Sequence, residues 1–523
     1  MGWGFKSLPR SHLPPFPLSA VRVSAVARRR RAVRSDIIRR RSTTHDHVAR
    51  TASGRRRFAP AGTMTQQQSP SRGRGRWAWP LLALALASLA AEPAGAARRF
   101  PNIAIITVDT LRLDRLSGYG YERPTSPNVD RLMARGARFT QARVVEPLTT
   151  PSLCSMLTSL YPHEHAATRN GLAMRPGLTS LPTILKRRRY QTAAFVGNWT
   201  LRDRLSGLGE HFDDYREVFT RKRWLGLFNA EATADDLTAQ AVAWLDDLEQ
   251  PQRAPFLIWV HYVEPHAPYR FHAEHAAALG IDASNGGEAS PHERYDTEVA
   301  FVDRAIGELL EALRARVPAE DLLIVFVADH GESLGEHGYW GHGRHLYDVT
   351  LLVPFAIIWE PRIPPGTVVD ALASNLDLGP TILGLLGLPS PESFRGHDWS
   401  AVLTSEAGGD GPRRTFHQAH KGAIRGSGGQ RARKNGLLEV GMVTPGIKQI
   451  LNLRRAQRLR RFDLNADPGE VSDLAAGDGE LPPALRAWLA EVRAGLETAD
   501  LLPAPALDEE SVEKLKALGY IDD

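Results

Sequence analysis

Residues 102–108 read Asn-Ile-Ala-Ile-Ile-Thr-Val, an apolar run rich in β-branched side chains that ends on Asp109. A run without polar alternation is what a parallel strand covered on both faces requires, because neither set of its side chains meets water. Residues 322–328 repeat the pattern and end on Asp329-His330-Gly331, and 192–196, 256–260 and 355–359 are further runs of this kind. Helical stretches lie between them at 126–135, 181–188, 232–248 and 297–313. Strands alternating with helices predict an α/β fold, a large and mostly parallel central sheet sandwiched by helices, whose ligands bind beyond the carboxyl ends of the strands. Two strands therefore deliver acids to one edge. Residues 437–443 and 447–453 are expected to pair as strands in a smaller C-terminal α+β subdomain over 435–523. A Gly- and Arg-rich loop over 407–434 separates it from the main domain over 98–406.

Length agrees with two units, since 523 residues exceed one ordinary core. The hydrophobic fraction of 42% excludes wholesale disorder. A formal net charge of +6 would point to a nucleic-acid or anionic-surface binder if it were spread over the folded part. It is not. Residues 1–76 hold 18 Lys or Arg against Asp36 and Asp46, a surplus of +16 that leaves the rest of the chain at −10. No nucleic-acid partner is expected.

Residues 1–63 read as a disordered Arg-rich leader, with translation expected to start at Met64. After Met64, Arg72, Arg74 and Arg76 precede an apolar run over 77–91 and the small residues Ala94-Gly95-Ala96, the three parts of a secretory signal over 64–97. The expectation is an extracytoplasmic protein, periplasmic or secreted. An uncleaved anchor through 77–91 is the alternative, and the one route to membrane contact. The single cysteine, Cys154, permits no intramolecular disulfide.

An Asp after a strand is most often a turn or cap, so Asp109 alone says little. Asp329-His330 after a second buried strand, followed by Gly331 and Glu332, is harder to dismiss, because adjacent carboxylate and imidazole suit a divalent cation. The motifs around them are specific. Val108-Asp109-Thr110-Leu111-Arg112 runs on through Asp114-Arg115-Leu116-Ser117 to Tyr119-Gly120-Tyr121. Thr149-Thr150-Pro151-Ser152-Leu153 precedes Leu157 to Pro162 and His165. Glu264-Pro265-His266-Ala267-Pro268-Tyr269 follows, then Ala328 to Glu332, Gly335-Glu336-His337-Gly338 and His342-Gly343. Phe462-Asp463-Leu464, Asp467-Pro468, Glu470 and Leu515 to Tyr520 close the chain.

This array, in this order over about residues 100–523, resembles the sulfatase family of the alkaline-phosphatase-like superfamily. The resemblance implies that fold and a metal-dependent hydrolase of sulfuric or phosphoric esters. It puts Thr149 at the nucleophile position, Asp109, Thr149, Asp329 and His330 around a metal, and His266 and His342 at leaving-group protonation or oxyanion contact. The implied partner is an anionic ester substrate, glycan- or lipid-linked.

Departures from the family pattern bear on mechanism. Sulfatases carry Cys or Ser in Cys/Ser-x-Pro-x-Arg and oxidise it to formylglycine; here Thr149 and Leu153 hold the outer positions, so no formylglycine is expected. The family's Gly-Lys-Trp-His appears as Gly197-Asn198-Trp199-Thr200, without the two groups that normally hold the sulfate, and Thr110 replaces the second Asp of the first metal motif. The remaining set resembles single-metal, threonine-dependent phosphotransferases of the phosphoethanolamine-transferase type, in which a cation makes a threonine alkoxide reactive.

One divalent ion is expected, Ca, Mg, Mn or Zn, because the Asp-x-x-x-His of two-metal relatives is represented only by Asp303, read as structural. Such a phosphotransferase is one alternative. A noncatalytic glycan- or lipid-binding descendant is the other, favoured by the lost Lys, His and Arg and opposed by the intact Asp109 and Asp329-His330. His261 is expected to be a hydrogen-bonded core residue and Cys154 a small buried one. His163, His165, His337 and His345 are further candidates for the pocket wall, with no direction assigned.

Overall fold

The structure is a computed structural model that describes residues 100–223, 228–249, 253–404, 413–424, 433–454, 458–475, 480–503 and 507–517. The expected leader and the signal over 64–97 lie outside the described residues. Eight strands build the main sheet: β1 (Asn102–Val108), β2 (Ala137–Arg143), β3 (Gln191–Val196), β4 (Asp214–Glu217), β5 (Phe256–Tyr262), β6 (Leu322–Ala328), β7 (Phe355–Ile358) and β8 (Thr367–Ser374). Their spatial order is β8-β2-β7-β6-β1-β5-β3-β4, and β7 alone runs against its neighbours. All seven positions of β1, β5 and β6 are buried, which is why their sequences are apolar throughout.

Helices flanking the sheet include α1 (Pro127–Met133), α2 (Thr149–Thr158), α3 (Leu181–Arg187), α4 (Ala234–Asp246), α5 (Pro291–Arg316) and α6 (Leu378–Leu385). α5 begins six residues before the expected 297, at a capping box of Ser290 and Glu293 with Pro291 in the first turn. Asp303, inside α5, accepts the backbone N–H groups of Asn128 at 3.0 Å and Val129 at 2.8 Å, so it caps α1 from a distance. That is the structural role expected for it.

A second sheet is antiparallel, in the order β9 (Thr415–His420), β10 (Leu437–Thr444), β11 (Ile447–Asn452) and β12 (Leu459–Asp463). Helix α7 (Pro483–Ala499) packs Leu485, Trp488, Leu489, Val492 and Leu496 against Val440, Met442 and Leu451. β9 lies within the stretch expected as a loop. Its polar His417, Gln418 and His420 are buried by distant partners: the Gln418 N–H donates to the Val145 carbonyl at 2.9 Å, and His420 pairs with Glu146 at 3.0 Å. Among the described residues, no helix is long and apolar enough to cross a membrane.

A buried charge cluster joins the two sheets. Lys448, 1% exposed on β11, lies 2.5 Å from Asp348 and 2.8 Å from Glu470, while Arg143 of β2 grips Asp348 with two bonds of 2.8 and 2.7 Å. Burial alone would raise the Asp348 carboxyl, but Arg143 and Lys448 outweigh it and hold it below the usual carboxylate range. Glu470 is shifted up by burial, so Asp348 is the member whose charge the fold favours. A carboxyl lowered by folding stabilises above its unfolded pKa, and that contribution is lost as pH falls through the folded one. Lys448→Met is therefore expected to cost about 3–5 kcal/mol at neutral pH, with a smaller cost in acid. Urea unfolding of both proteins at pH 7 and pH 3 measures this.

Candidate active site

Four adjacent parallel strands, β6, β1, β5 and β3, end side by side. Their register sets Val108 opposite both Ala328 and Tyr262, so Asp329 and Asp109 arrive at one level of the sheet edge, and His261 stands opposite Thr107, two positions before Asp109. Asn198 follows β3, and Thr149 enters as the first residue of α2, a helix with all ten residues buried. The positive end of that helix dipole faces the same place.

Each carboxylate of the pair is half tied down. Asp329 Oδ1 accepts the backbone N–H groups of Thr110 at 3.1 Å and His330 at 2.7 Å, and Asp109 Oδ2 accepts Asn198 Nδ2 at 2.6 Å. Thr110 reaches Asp329 from a left-handed backbone with φ of 53°, a strained conformation for a β-branched residue. The other oxygens, Asp109 Oδ1 and Asp329 Oδ2, are buried without a hydrogen bond. They lie 3.7 and 3.5 Å from Nε2 of His330. His330 Nδ1 donates to the Gly331 carbonyl at 2.9 Å, which leaves the Nε2 lone pair directed at the acids and at Thr149 Oγ1, 3.3 Å away.

The electrostatics agree with the geometry. Burial and then the charge of Asp109 push Asp329 well above the usual carboxylate range. Burial would raise Asp109 too, but the imidazoles of His266, His261 and His330 hold it below that range. Burial, then the charge of His342, keeps His330 well below the ordinary histidine value, hence neutral. Two buried acids that resist carrying charge together, each with one uncommitted oxygen, beside a neutral imidazole, form a donor set that a divalent cation fits. Asp109, His261 and Asp329 offer ligand atoms within 4.8 Å of one another.

The six residues singled out from the sequence, Asp109, Thr149, His266, Asp329, His330 and His342, come to one place. The His342 ring centroid is 4.4 Å from that of His330 and 5.3 Å from that of His266, which forms a row of three imidazoles. His342 Nδ1 lies 3.2 Å from Glu332. Burial would lower His342, but the Glu332 carboxylate raises it above the ordinary histidine value. His266 donates from Nδ1 to the Ala267 carbonyl at 2.7 Å, in a loop whose bonds to Pro265 and Pro268 are both cis.

His261 is the hydrogen-bonded core residue expected, with Nδ1 2.9 Å from Thr107 Oγ1, itself held by Trp259 Nε1 at 2.9 Å. Its other face, 3.7 Å from Asp109, belongs to the site, a role its apolar surroundings in sequence hid. The remaining histidines have structural partners: His163 meets Gln418, His165 meets Ser155, His337 stacks on Tyr347, and His345 pairs with Glu439. Cys154 is buried in α2, and burial raises its thiol.

Comparison with known proteins follows the same outline. The model of the sulfatase family matches residues 101–388, more than half of the chain. The chain belongs to the sulfatase family. The C-terminal model of N-sulphoglucosamine sulphohydrolase matches residues 335–487. The uncharacterized sulfatase YidJ of Escherichia coli K12 is 27% identical over 431 residues, covering 72% of this chain and 83% of that protein. The fold is similar to the structure of BT4656 in complex with D-glucosamine-2-N,6-O-disulfate, with a TM-score of 0.60, 19% identity and coverage of 78% of this chain and 99% of that one. It is also similar to the phosphonate monoester hydrolase of Silicibacter pomeroyi, with a TM-score of 0.55, 21% identity and coverage of 77% and 95%. The protein is thus an ester hydrolase of the sulfatase family with an alkaline-phosphatase-like fold.

Within this sulfatase fold, Asn198 and Thr200 have a local function. Thr200 donates from its backbone N–H at 3.0 Å and from its hydroxyl at 2.9 Å to Asn198 Oδ1, which turns the amide nitrogen onto Asp109. The sequence position that suggested a lost anion contact is occupied by a group that orients a carboxylate. Groups that orient ligands typically control about 10–100-fold in metal affinity. Asn198→Leu is expected to weaken divalent-cation binding by that factor, as read by titration calorimetry.

Proposed function

We propose that this sulfatase-family hydrolase cleaves the sulfuric ester of a glycan with Thr149 as nucleophile, around one divalent cation held by Asp109, Asp329 and His330, with Thr149 beside them and His261 facing Asp109. The observation that carries the reading is the approach of Thr149 Oγ1 to His330 Nε2, 3.3 Å, beside two buried carboxylate oxygens that make no hydrogen bond. A bound cation supplies stabilisation for negative charge on the threonine oxygen and on the ester oxygens.

Thr149 gives up its proton to solvent, and its oxygen forms a bond to sulfur as the bond to the departing alkoxide breaks. His342, with Glu332 favouring its charged form, supplies the proton that the alkoxide takes up. Water then attacks the sulfated threonine, releases sulfate and restores the hydroxyl. The sugar disulfate in the BT4656 structure supports a glycan as the alcohol portion. The similarity to a phosphonate monoester hydrolase supports the corresponding attack on phosphorus as the second reading. An extracytoplasmic location is proposed from the pattern of residues 72–96.

The test is a metal-reconstituted assay on 4-nitrophenyl sulfate, 4-nitrophenyl phosphate, bis(4-nitrophenyl) phosphate and a phenylphosphonate monoester, with acid quenching and mass spectrometry. Sulfate turnover with one sulfonate group trapped on the Thr149 peptide is the expected outcome. Adduct on another residue discards the mechanism, and turnover confined to phosphorus esters favours the second reading.

A further inference from the structure

Beside the site, a short hairpin presents an aromatic surface to solvent. Its strands, Ser333–Leu334 and Trp340–Gly341, pair antiparallel, and it springs from Glu332 and returns to His342, which meet at 3.2 Å. Trp340 is 53% exposed, although an indole is among the most favourable side chains to bury. One residue, Gly341, separates it from His342, so their Cα atoms lie at most about 7 Å apart.

The indole is held rather than loose. Gly335 packs against it: a Cβ there would approach the ring at 3.1 Å, tighter than an ordinary contact, and its φ of 110° is one that favours glycine. The hairpin under it is fixed at several points: the Ser333 hydroxyl donates to the Tyr339 carbonyl at 2.8 Å, the Tyr339 hydroxyl to the His342 carbonyl at 2.7 Å, and Arg112 to Glu336 at 2.7 Å and to the Glu332 carbonyl at 3.1 Å. The His292 ring stands 6.1 Å from the indole, tilted by 55°. Arg115 donates to Nδ1 of His292 at 2.9 Å, which places the ring proton on Nε2 and makes His292 a neutral donor. Burial and the Arg115 charge both lower His292, in keeping with that neutrality.

An exposed apolar plane with a neutral imidazole beside it matches a pyranose ring, which has an apolar C–H face and a rim of hydroxyls. From this juxtaposition we infer that Trp340 and His292 form a sugar subsite, in which the pyranose carrying the ester stacks on the indole while the ester reaches past His342 to the acids. The inference rests on the proposed glycan sulfatase reading, and names the part of the substrate that the reaction centre does not hold.

Calorimetric titration of the Thr149→Ala protein, in which turnover is removed, separates the two claims. Glucosamine 6-sulfate, galactose 6-sulfate and inorganic sulfate are the probes, with Trp340→Ala and Trp340→Phe added in the same background. The expected result is at least about a tenfold loss of affinity for the sugar sulfates in Trp340→Ala, near-normal affinity in Trp340→Phe, and inorganic sulfate unchanged in both. Equal weakening of all three probes, no weakening, or sugar sulfates binding no more tightly than sulfate before Trp340 is changed would overturn the subsite. Sugar binding that depends on Trp340 in a protein whose parent hydrolyses no sulfate ester leaves the subsite standing and removes the catalytic reading alone.

Discussion

Thr149→Ala is expected to lower turnover by roughly 10⁴-fold or more, the scale on which removing a covalent nucleophile acts, while the protein unfolds at nearly the wild-type denaturant concentration. The asymmetry follows from where the hydroxyl sits. Thr149 is fully buried at the first position of α2, and its hydroxyl meets His330 Nε2 at 3.3 Å, a distance at the weak end for a hydrogen bond. Losing it and one methyl from a helix that keeps its other nine buried residues costs about 1–2 kcal/mol. Thr149→Ser keeps the oxygen and loses only the methyl, so it is expected to retain a measurable fraction of activity and the trapped adduct. Steady-state kinetics with urea unfolding on the three proteins reads both quantities. An alanine variant within tenfold of wild type would assign the attack to some other group, and an alanine variant that fails to fold would be judged by the serine variant instead.

Removing divalent cations is expected to lower the thermal midpoint of the wild type and to leave Asp329→Asn unmoved. Without a cation, Asp109 and Asp329 lie together in a buried centre, and each has an oxygen that accepts no hydrogen bond from the protein. Burial and Asp109 raise Asp329, and a carboxyl raised by folding works against the folded state as pH climbs from its unfolded value through the folded one. Metal-free wild type is therefore most stable in mild acid and loses stability toward neutrality through this group.

An asparagine keeps an oxygen for the Thr110 and His330 N–H groups and removes the charge, so metal-free Asp329→Asn is expected to exceed metal-free wild type at pH 7 while being inactive. A cation present at a thousand times its dissociation constant stabilises the wild type by about 4 kcal/mol. Calorimetric scans with chelator and with Ca, Mg, Mn or Zn restored give the comparison and rank the metals. Full activity in chelator would rule out the cation.

Several features of the fold are legible in the sequence. A strand buried on both faces has to be apolar along its whole length, so β1, β5, β6 and β7 announced themselves, and Asp109 and Asp329 stood at their ends because sheets of this kind place chemistry there. β2 and β9 were hidden for the opposite reason. Arg143 on β2 and His417 and His420 on β9 look like solvent residues, and only Asp348, the Val144 carbonyl and Glu146, brought from elsewhere in the chain, make their burial affordable. α5 began earlier than its apolar period suggested, although Ser290, Pro291 and Glu293 carried the start signal.

The centre itself divides the same way. Sequence by itself placed acids at two strand ends, and the resemblance of its motifs to the sulfatase family pointed to the histidines at 266 and 342 and to the threonine at 149, because motifs are local and survive without the fold. Tertiary structure alone decided that His261 faces Asp109, that Asn198 turns its amide onto the same carboxylate, and that Trp340 stands open beside His342. Strand register and the packing of loops bring these groups together across stretches of chain as long as 152 residues between Asp109 and His261, and no local pattern encodes which of two faces such a residue presents.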